Sequence, residues 1–311
     1  MDNNHLPDAP IYIGGLERSG KTYMRLMLAA HPEVVFSKRT RLWTRIYDHW
    51  GDLADPANFE RCLNAMRQNK HVRALEPDVE RLRREFYAIV GAGFKSAPTS
   101  DTAAYALLFA LVHRHYAERL GKTRWGDQTE SVENYAKEIL AIFPAARIVH
   151  LLRDPRDWYE AIVARDGRRP GRLGDAAERW SRSADLALRH QRRYPDRYKV
   201  VRYETLAAHP EETLRDVSAF VGLEMTPDML ALGHAARFQD SETRHSPLST
   251  AYIGRFRQRL AAHEWGYLQD QTAARMAAFG YDLEPVHLSL ADRLRCRAVM
   301  PTTSLTRLIR G

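Results

Sequence analysis

The amino-acid sequence predicts an α/β fold: a three-layer sandwich in which helices cover both faces of a central parallel sheet. Three observations carry this. Short apolar runs alternate with helix-periodic segments, the pattern of strands joined by crossover helices. The stretch IYIGGLERSGKTYMRLMLAAHP sets a full match to G-x-x-x-x-G-K-[ST], ending in Gly20, Lys21 and Thr22, between such a run and such a segment. The 311 residues are 44% hydrophobic, enough for one large core.

Ile11 to Gly15 follows Pro10 and ends in glycine, as a short buried strand does. In the next helix Met24, Leu26, Met27, Leu28 and Ala30 crowd one face, and His31-Pro32 stops it. Val34 to Phe36 is a second short strand, and the basic segment SKRTRLWTR is a loop running into a helix. Glu60 to about Arg84 and Thr102 to Leu120 are charged, helix-prone stretches separated by the breaker SAPTS. Ser131 to Phe143 predicts a further helix, with Ser131 as its cap. It leads through Pro144 into RIVHLL, whose four apolar side chains suit a central parallel strand buried on both faces. Pro155 then sits at the first turn of the helix DPRDWYEAIVAR. RRPGRLG, Arg168 to Gly174, reads as a mobile loop, followed by a long helix to about Tyr194 and the strand KVVRY. PEETLRDVSAFVGL has Pro and two acids at its start and Gly222 at its end, as helix termini prefer. With no internal repeat or linker, one domain is expected over residues 1–311, its core at about 10–285 and a basic helical tail at 286–311.

A net charge of +8, from 47 Lys and Arg against 39 Asp and Glu, favours anionic partners. The cations are spread along the chain with no nucleic-acid module, so nucleic acid is not the expected partner. No stretch reaches the roughly 18 apolar residues that span a bilayer, and MDNNHLPDAP has no leader character, so a cytoplasmic location with no membrane partner is expected. Cys62 and Cys296 stand far apart, which supports neither a disulfide framework nor a zinc site. The tail, with Leu288, Leu290, Leu294, Val299, Leu305 and Ile309 among arginines, can pack on its own domain or on a second copy, and a homodimer is one expectation.

A strand, a glycine-rich turn and a helix gather backbone N–H groups and the positive end of a helix dipole around one point, which attracts an anion. Triphosphate chemistry also needs magnesium, usually held by an Asp closing a second strand. Here RIVHLL closes on Arg153 and KVVRY carries Arg202. The strand ends offer cations, which suit a ligand with more than one phosphate and no metal to neutralise it.

These residues together resemble the sulfotransferases that use 3′-phosphoadenosine-5′-phosphosulfate (PAPS). GLERSGKTYMRLMLAAHPEV resembles the family's 5′-phosphosulfate loop and is close to the tyrosylprotein branch in its Met-Arg and His-Pro details. LLRDPRDWYEAIVAR resembles the 3′-phosphate segment, and VRYETLAAHPEETL the V-R-Y-E-x-L-x-x-P stretch. GDQT stands where G-D-K-T is common, and IGRFRQRL is similar to a late I-G-x-W-R segment. The matches occur in family order from about Ile11 to Tyr281. The resemblance implies that Arg18, Ser19, Gly20, Lys21 and Thr22 hold the 5′-phosphosulfate. Arg153 and Arg165 would bind the 3′-phosphate, Tyr203 would lie near the nucleotide, and Arg255 or Arg257 would close over it. A surface ion pair of Arg153 with Asp154 or Asp157, and an ordinary core role for Tyr203, are the plainer alternatives.

The departures from the family are specific. Lys21 stands where Thr is usual, Ala161 where a Ser is usual, and Gln128 replaces the lysine of G-D-K-T, so Lys21 is expected to supply the charge that Gln128 cannot. The acidic stretch that carries the tyrosylprotein branch's glutamate base aligns with Ser37, Lys38, Arg39, Thr40 and Arg41, so the base must come from Asp127, Glu17 or Glu130. Arg39 and Arg41 could hold an anionic acceptor, although a solvated face explains the same side chains. The expected activity is therefore metal-free, in-line sulfuryl transfer from PAPS to a hydroxyl or amine of a small acceptor, anionic acceptors included. Arg18, Lys21 and Asp127 would be the catalytic groups. A P-loop kinase using ATP and magnesium, and a nucleotide-binding protein without catalysis, are the rival readings.

Overall fold

The computed structural model describes residues 6–91, 100–169, 171–234 and 248–286. β1 (Ile11–Gly14) runs into α1 (Lys21–Ala29) and β2 (Val34–Lys38), and a π-helical turn follows at Leu42–Ile46. The chain then leaves the sheet for α2 (Pro56–Gln68), α3 (Lys70–Arg73), α4 (Val79–Gly91) and α5 (Ser100–Arg119). It returns as β3 (Arg124–Gln128), makes a 3-10 turn at Val132–Tyr135, and continues through α6 (Ala136–Ile142), β4 (Arg147–Leu152), α7 (Pro155–Asp166), α8 (Arg172–Arg193) and β5 (Tyr198–Arg202). α9 (Tyr203–Ala208), α10 (Pro210–Val221) and α11 (Pro227–His234) follow. A second 3-10 turn (Thr250–Tyr252), α12 (Phe256–Arg259) and α13 (Ala262–Ala278) complete the described chain.

The five strands form one all-parallel sheet in the order β2-β3-β1-β4-β5. β1 is its centre, and RIVHLL lies beside it as an interior strand. Ile11 and Ile13 pack on Met24, Met27 and Leu28 of α1 and on Leu214 and Val217 of α10. Tyr12 points to the other face, into the cluster of Trp43, Phe59, Phe109 and Trp125. Each such large side chain contributes about 1.5–3 kcal/mol by leaving water. A third cluster, built on Trp158, Trp180, Phe256 and Leu268, holds α7, α8, α12 and α13 together. All five carboxyl strand ends thus open on one edge, where ligands bind in open α/β sheets.

Local signals explain most boundaries. The Asp154 carboxylate caps α7 by accepting from Arg156 N at 2.9 Å, and Pro155 supplies the first turn. Gly222 ends α10 at φ +69°, where its N–H reaches the Ala219 and Ser218 carbonyls. Three expectations are corrected, and one strand carries no sequence signal. The helix expected over Glu60 to Arg84 is three helices, because Asn69 takes an extended backbone and caps α3, and Glu76 turns left-handed at φ +49° before Pro77. The helix expected from Ser131 begins as a 3-10 turn, with Ser131 at φ +59° and its side chain capping nothing. The loop expected over Arg168 to Gly174 is shorter, since α8 starts at Arg172, and Arg168 pairs with Glu264 at 2.8 Å. β3, RWGDQ, is a strand without an apolar run: Gly126 fits because a Cβ there would meet the Phe36 ring at 2.3 Å and the Ile11 carbonyl at 2.6 Å. The SAPTS breaker up to Thr99, the tail beyond residue 286 and Cys296 lie outside the described residues. Among those residues, no helix is long and apolar enough to cross a membrane.

Candidate functional site

The loop between β1 and α1 is shaped by its backbone. Gly15 adopts φ +100°, and a Cβ there would sit 2.1 Å from the Leu151 carbonyl oxygen, so only glycine lets this turn pass over β4. Gly20, at φ +96°, is the N-cap of α1. Between them Arg18 is left-handed at φ +62°, and the Ser19 hydroxyl closes the turn by donating to Leu16 O at 2.6 Å. Lys21 is the first residue of α1, and its ammonium returns over the loop to donate to Gly15 O at 2.5 Å.

A cavity of about 340 Å³ opens at this loop. Arg18, Gly20, Lys21, Thr22, Arg39, Gln128, Arg153, Arg165, Tyr203 and Arg255, drawn from six segments, all line it. Arg153 makes no ion pair with Asp154 or Asp157. Asp154 is bound to Arg156 at 2.7 Å, and the Asp157 carboxylate accepts from Gly254 N and Phe256 N at 2.6 and 3.0 Å. The Arg153 guanidinium instead lies 4.6 Å over the Tyr203 ring and donates to Arg18 O and Tyr252 O at 3.2 and 2.9 Å. Its Nε is buried and has no hydrogen-bond partner among the described residues. Arg165 pairs with its neighbour Asp166 at 2.6 Å, which raises its pKa, and Arg255 pairs with Glu160 at 3.2 Å. Ala161 also faces the cavity, so the hydroxyl usual at that position is absent.

Electrostatics concentrate at Lys21. Burial lowers the pKa of its ammonium below the ordinary lysine value, opposed by the charges of Glu130, Glu133 and Glu17. Gln128 lies beside it, and its Oε1 accepts from Arg25 Nε at 2.9 Å. The position that lacks a lysine is thus met by one cation from α1, Arg25, and shares the cavity lining with another, Lys21.

Four sequence-selected residues stand apart from the cavity lining. Ser19 is buried in the turn. Arg257 is bound to Glu284 at 2.8 Å on the exposed side of α12. Arg41 faces Glu130 at 3.6 Å. Asp127 is 1% exposed, with its carboxylate oxygens accepting from Ser37 at 2.8 Å and Thr40 at 2.5 Å. This geometry makes Asp127 an anchor for the β2 loop and gives it no approach to a reacting group. The carboxylates lining the cavity are Glu17, Glu130 and Glu160. Sequence reasoning also missed Tyr23, Tyr252 and Glu133. Tyr252 immediately precedes Ile253-Gly254 of the late segment, which could have marked it. Glu133 left no signal, since its role depends on the 3-10 turn that carries it beneath the loop.

Comparisons with known proteins identify relatives of this chain. The model of the sulfotransferase family matches residues 10–227. The chain is 27% identical over 219 residues to the protein-tyrosine sulfotransferase of Drosophila melanogaster, covering 68% of this chain and 37% of that one. It is 26% identical over 224 residues to protein-tyrosine sulfotransferase 1 of Danio rerio, covering 68% and 53%. It therefore spans between about a third and a half of the length of these curated relatives. The fold matches the sulfotransferase domain of the Synechococcus PCC 7002 olefin synthase, with a TM-score of 0.60 at 22% identity over 91% of this chain and 98% of that one. It also matches the sulfotransferase domain of the curacin biosynthetic pathway, with a TM-score of 0.56 at 16% identity over 90% and 100%. With the family's model running from β1 to α11 across every segment that lines the cavity up to Tyr203, this chain belongs to the sulfotransferase family.

Proposed function

We propose that this protein transfers a sulfuryl group from PAPS to a hydroxyl or amine of a small acceptor. One observation supports this above the others. A single cavity joins the anion loop of Lys21 and Thr22 to a second cationic wall, Arg153 and Arg165, with Tyr203 between them. A ligand with two anionic groups and no metal suits these cations better than a magnesium-bound triphosphate would. When bound, PAPS supplies the activated sulfuryl group. The loop N–H groups, Arg18 and Lys21 would hold its 5′ end and neutralise the charge that develops there, and Arg153 and Arg165 its 3′-phosphate.

The proton of the acceptor goes to Glu130 on this reading. Glu17 is held by Arg179 at 2.8 and 3.0 Å, and Glu160 is buried against Arg255, whereas Glu130 meets Arg41 only at 3.6 Å and is the carboxylate that acts most strongly on Lys21. As the O–S bond forms, the bond from sulfur to the phosphate oxygen breaks, and 3′,5′-adenosine bisphosphate leaves. Arg39, in the lining of the same cavity, would fit a carboxylate or phosphate on the acceptor. Ligand-dependent melting tests the reading. The bisphosphate at a hundredfold excess over its Kd should stabilise the fold by about 2.7 kcal/mol. Stabilisation by ATP with magnesium and none by the bisphosphate would replace it with a kinase.

A further inference from the structure

Beneath the anion loop lies a buried polar cluster with no access to the cavity. Glu133 is 1% exposed. Its Oε2 accepts from Gly15 N at 3.3 Å and its Oε1 from the Ser183 hydroxyl at 2.7 Å. Ser183 faces His150 Nε2 at 3.3 Å, and His150 Nδ1 faces the Tyr198 hydroxyl at 2.7 Å. The Glu133 main-chain carbonyl faces His190 Nε2 at 2.9 Å. Gly15 is therefore gripped at both ends: Glu133 takes its N–H from below, and the Lys21 ammonium donates to its carbonyl from above.

A carboxylate this deep is costly unless a charge answers it, and an ammonium as buried as that of Lys21 has the same need. Among the described residues Glu133 has no direct salt bridge; against the cost of burial its carboxyl is held below the ordinary value by His150 first, then by the Ser183 hydroxyl and, last, by Lys21. Glu130, the carboxylate that acts most strongly on Lys21, and Glu17 line the cavity, whereas Glu133 shares Gly15 with Lys21. Arg39 opposes them from the β2 loop.

We propose that Glu133 is a positioning residue for sulfuryl transfer: through Gly15 it fixes the start of the anion loop, and its buried carboxylate, gripping the same residue as the Lys21 ammonium, holds Lys21 in place at the cavity. This rests on the sulfotransferase reading for its catalytic consequence, but the electrostatic pairing stands without it. The test is the cycle of Glu133→Gln, Lys21→Thr and their double variant, each checked for folding by thermal melting. Glu133→Gln should lower kcat about thirtyfold and change bisphosphate Kd less than about threefold, and in the Lys21→Thr background it should change kcat less than about threefold. A second readout needs no turnover. Trace acylation of protein amines at neutral pH, mapped by peptide mass, should label Lys21 about tenfold faster in Glu133→Gln, because the amine loses the charge that holds its proton. An equal loss of kcat in both backgrounds, or unchanged labelling of Lys21, overturns the proposal. If wild-type protein binds no bisphosphate, the sulfotransferase reading fails, and the labelling result still decides the pairing.

Discussion

The loop after β1 and the loop after β2 leave the same edge of the sheet, and each is held from below by a buried carboxylate, serine and histidine. Under the first are Glu133, Ser183 and His150, with hydroxyl contacts of 2.7 and 3.3 Å. Under the second are Asp127, Ser37 and His113, with contacts of 2.8 and 2.9 Å. The loops use this support differently. The first reaches positive φ at Gly15, Arg18 and Gly20, leaving main-chain N–H groups and the Arg18 side chain as its working parts. The second does so with Arg39 and Arg41, both at φ +55° on either side of the buried Thr40, leaving side chains as its working parts. A non-glycine residue in this region costs about 1–2 kcal/mol, and the Asp127 anchor through Thr40 offsets that cost. The first loop thus turns on two glycines and one arginine, and the second on two strained arginines held over a buried carboxylate.

The largest expected effect tests the glycine half. Gly15→Ala places a methyl against the Leu151 carbonyl and should cost about 4 kcal/mol, measured by chemical denaturation. The converse change, Arg39→Gly, should gain about 1 kcal/mol by the same assay. A tolerated Gly15→Ala would break the contrast.

Next is the anchor of the second loop. Asp127→Ala strips the Ser37 and Thr40 hydroxyls of their buried acceptor and should cost about 3 kcal/mol. It should raise acceptor KM while leaving bisphosphate affinity within about twofold. Should turnover vanish with stability intact, Asp127 is the base and the two clusters are not alike.

The smallest effect separates the clusters by proton count. His113 Nδ1 faces Phe109 O at 2.7 Å, a group that only accepts, so in the neutral ring Nε2 is an acceptor. The single Ser37 proton then faces three acceptors: Nε2 at 2.9 Å, Asp127 at 2.8 Å and Gly126 O at 3.3 Å. The other cluster is complete with a neutral ring, since Tyr198 can donate to His150, His150 to Ser183, and Ser183 to Glu133. Burial holds both imidazoles below their ordinary pKa, opposed by Asp127 and Glu133 respectively. Each is neutral in the fold while the unfolded chain takes its proton below about pH 6.5, so their contribution to stability is complete above that pH and lost as the pH falls. Because its cluster lacks a proton, His113 should titrate at a higher pH than His150 by NMR of the ring protons. The reverse order would show that the clusters share one hydrogen-bond pattern.

Arg165 and Arg255 entered only through the family resemblance, whereas the sequence by itself determined the parallel α/β class, the glycine-rich loop and Arg153 at a strand end. Those depend on local rules: a glycine where φ is positive, an apolar run where both faces are covered, a Pro and an acid where a helix begins. Tertiary structure alone decided that Asp127 anchors while Glu130 faces the cavity, that Arg257 turns to Glu284, and that RWGDQ is an interior strand. It also decided that Glu133 lies beneath Gly15, 118 residues away in the chain. Side-chain type carries no record of which partner arrives from another strand. The choice between a buried anchor and a reacting carboxylate is made by desolvation and by the hydrogen bonds that packing brings.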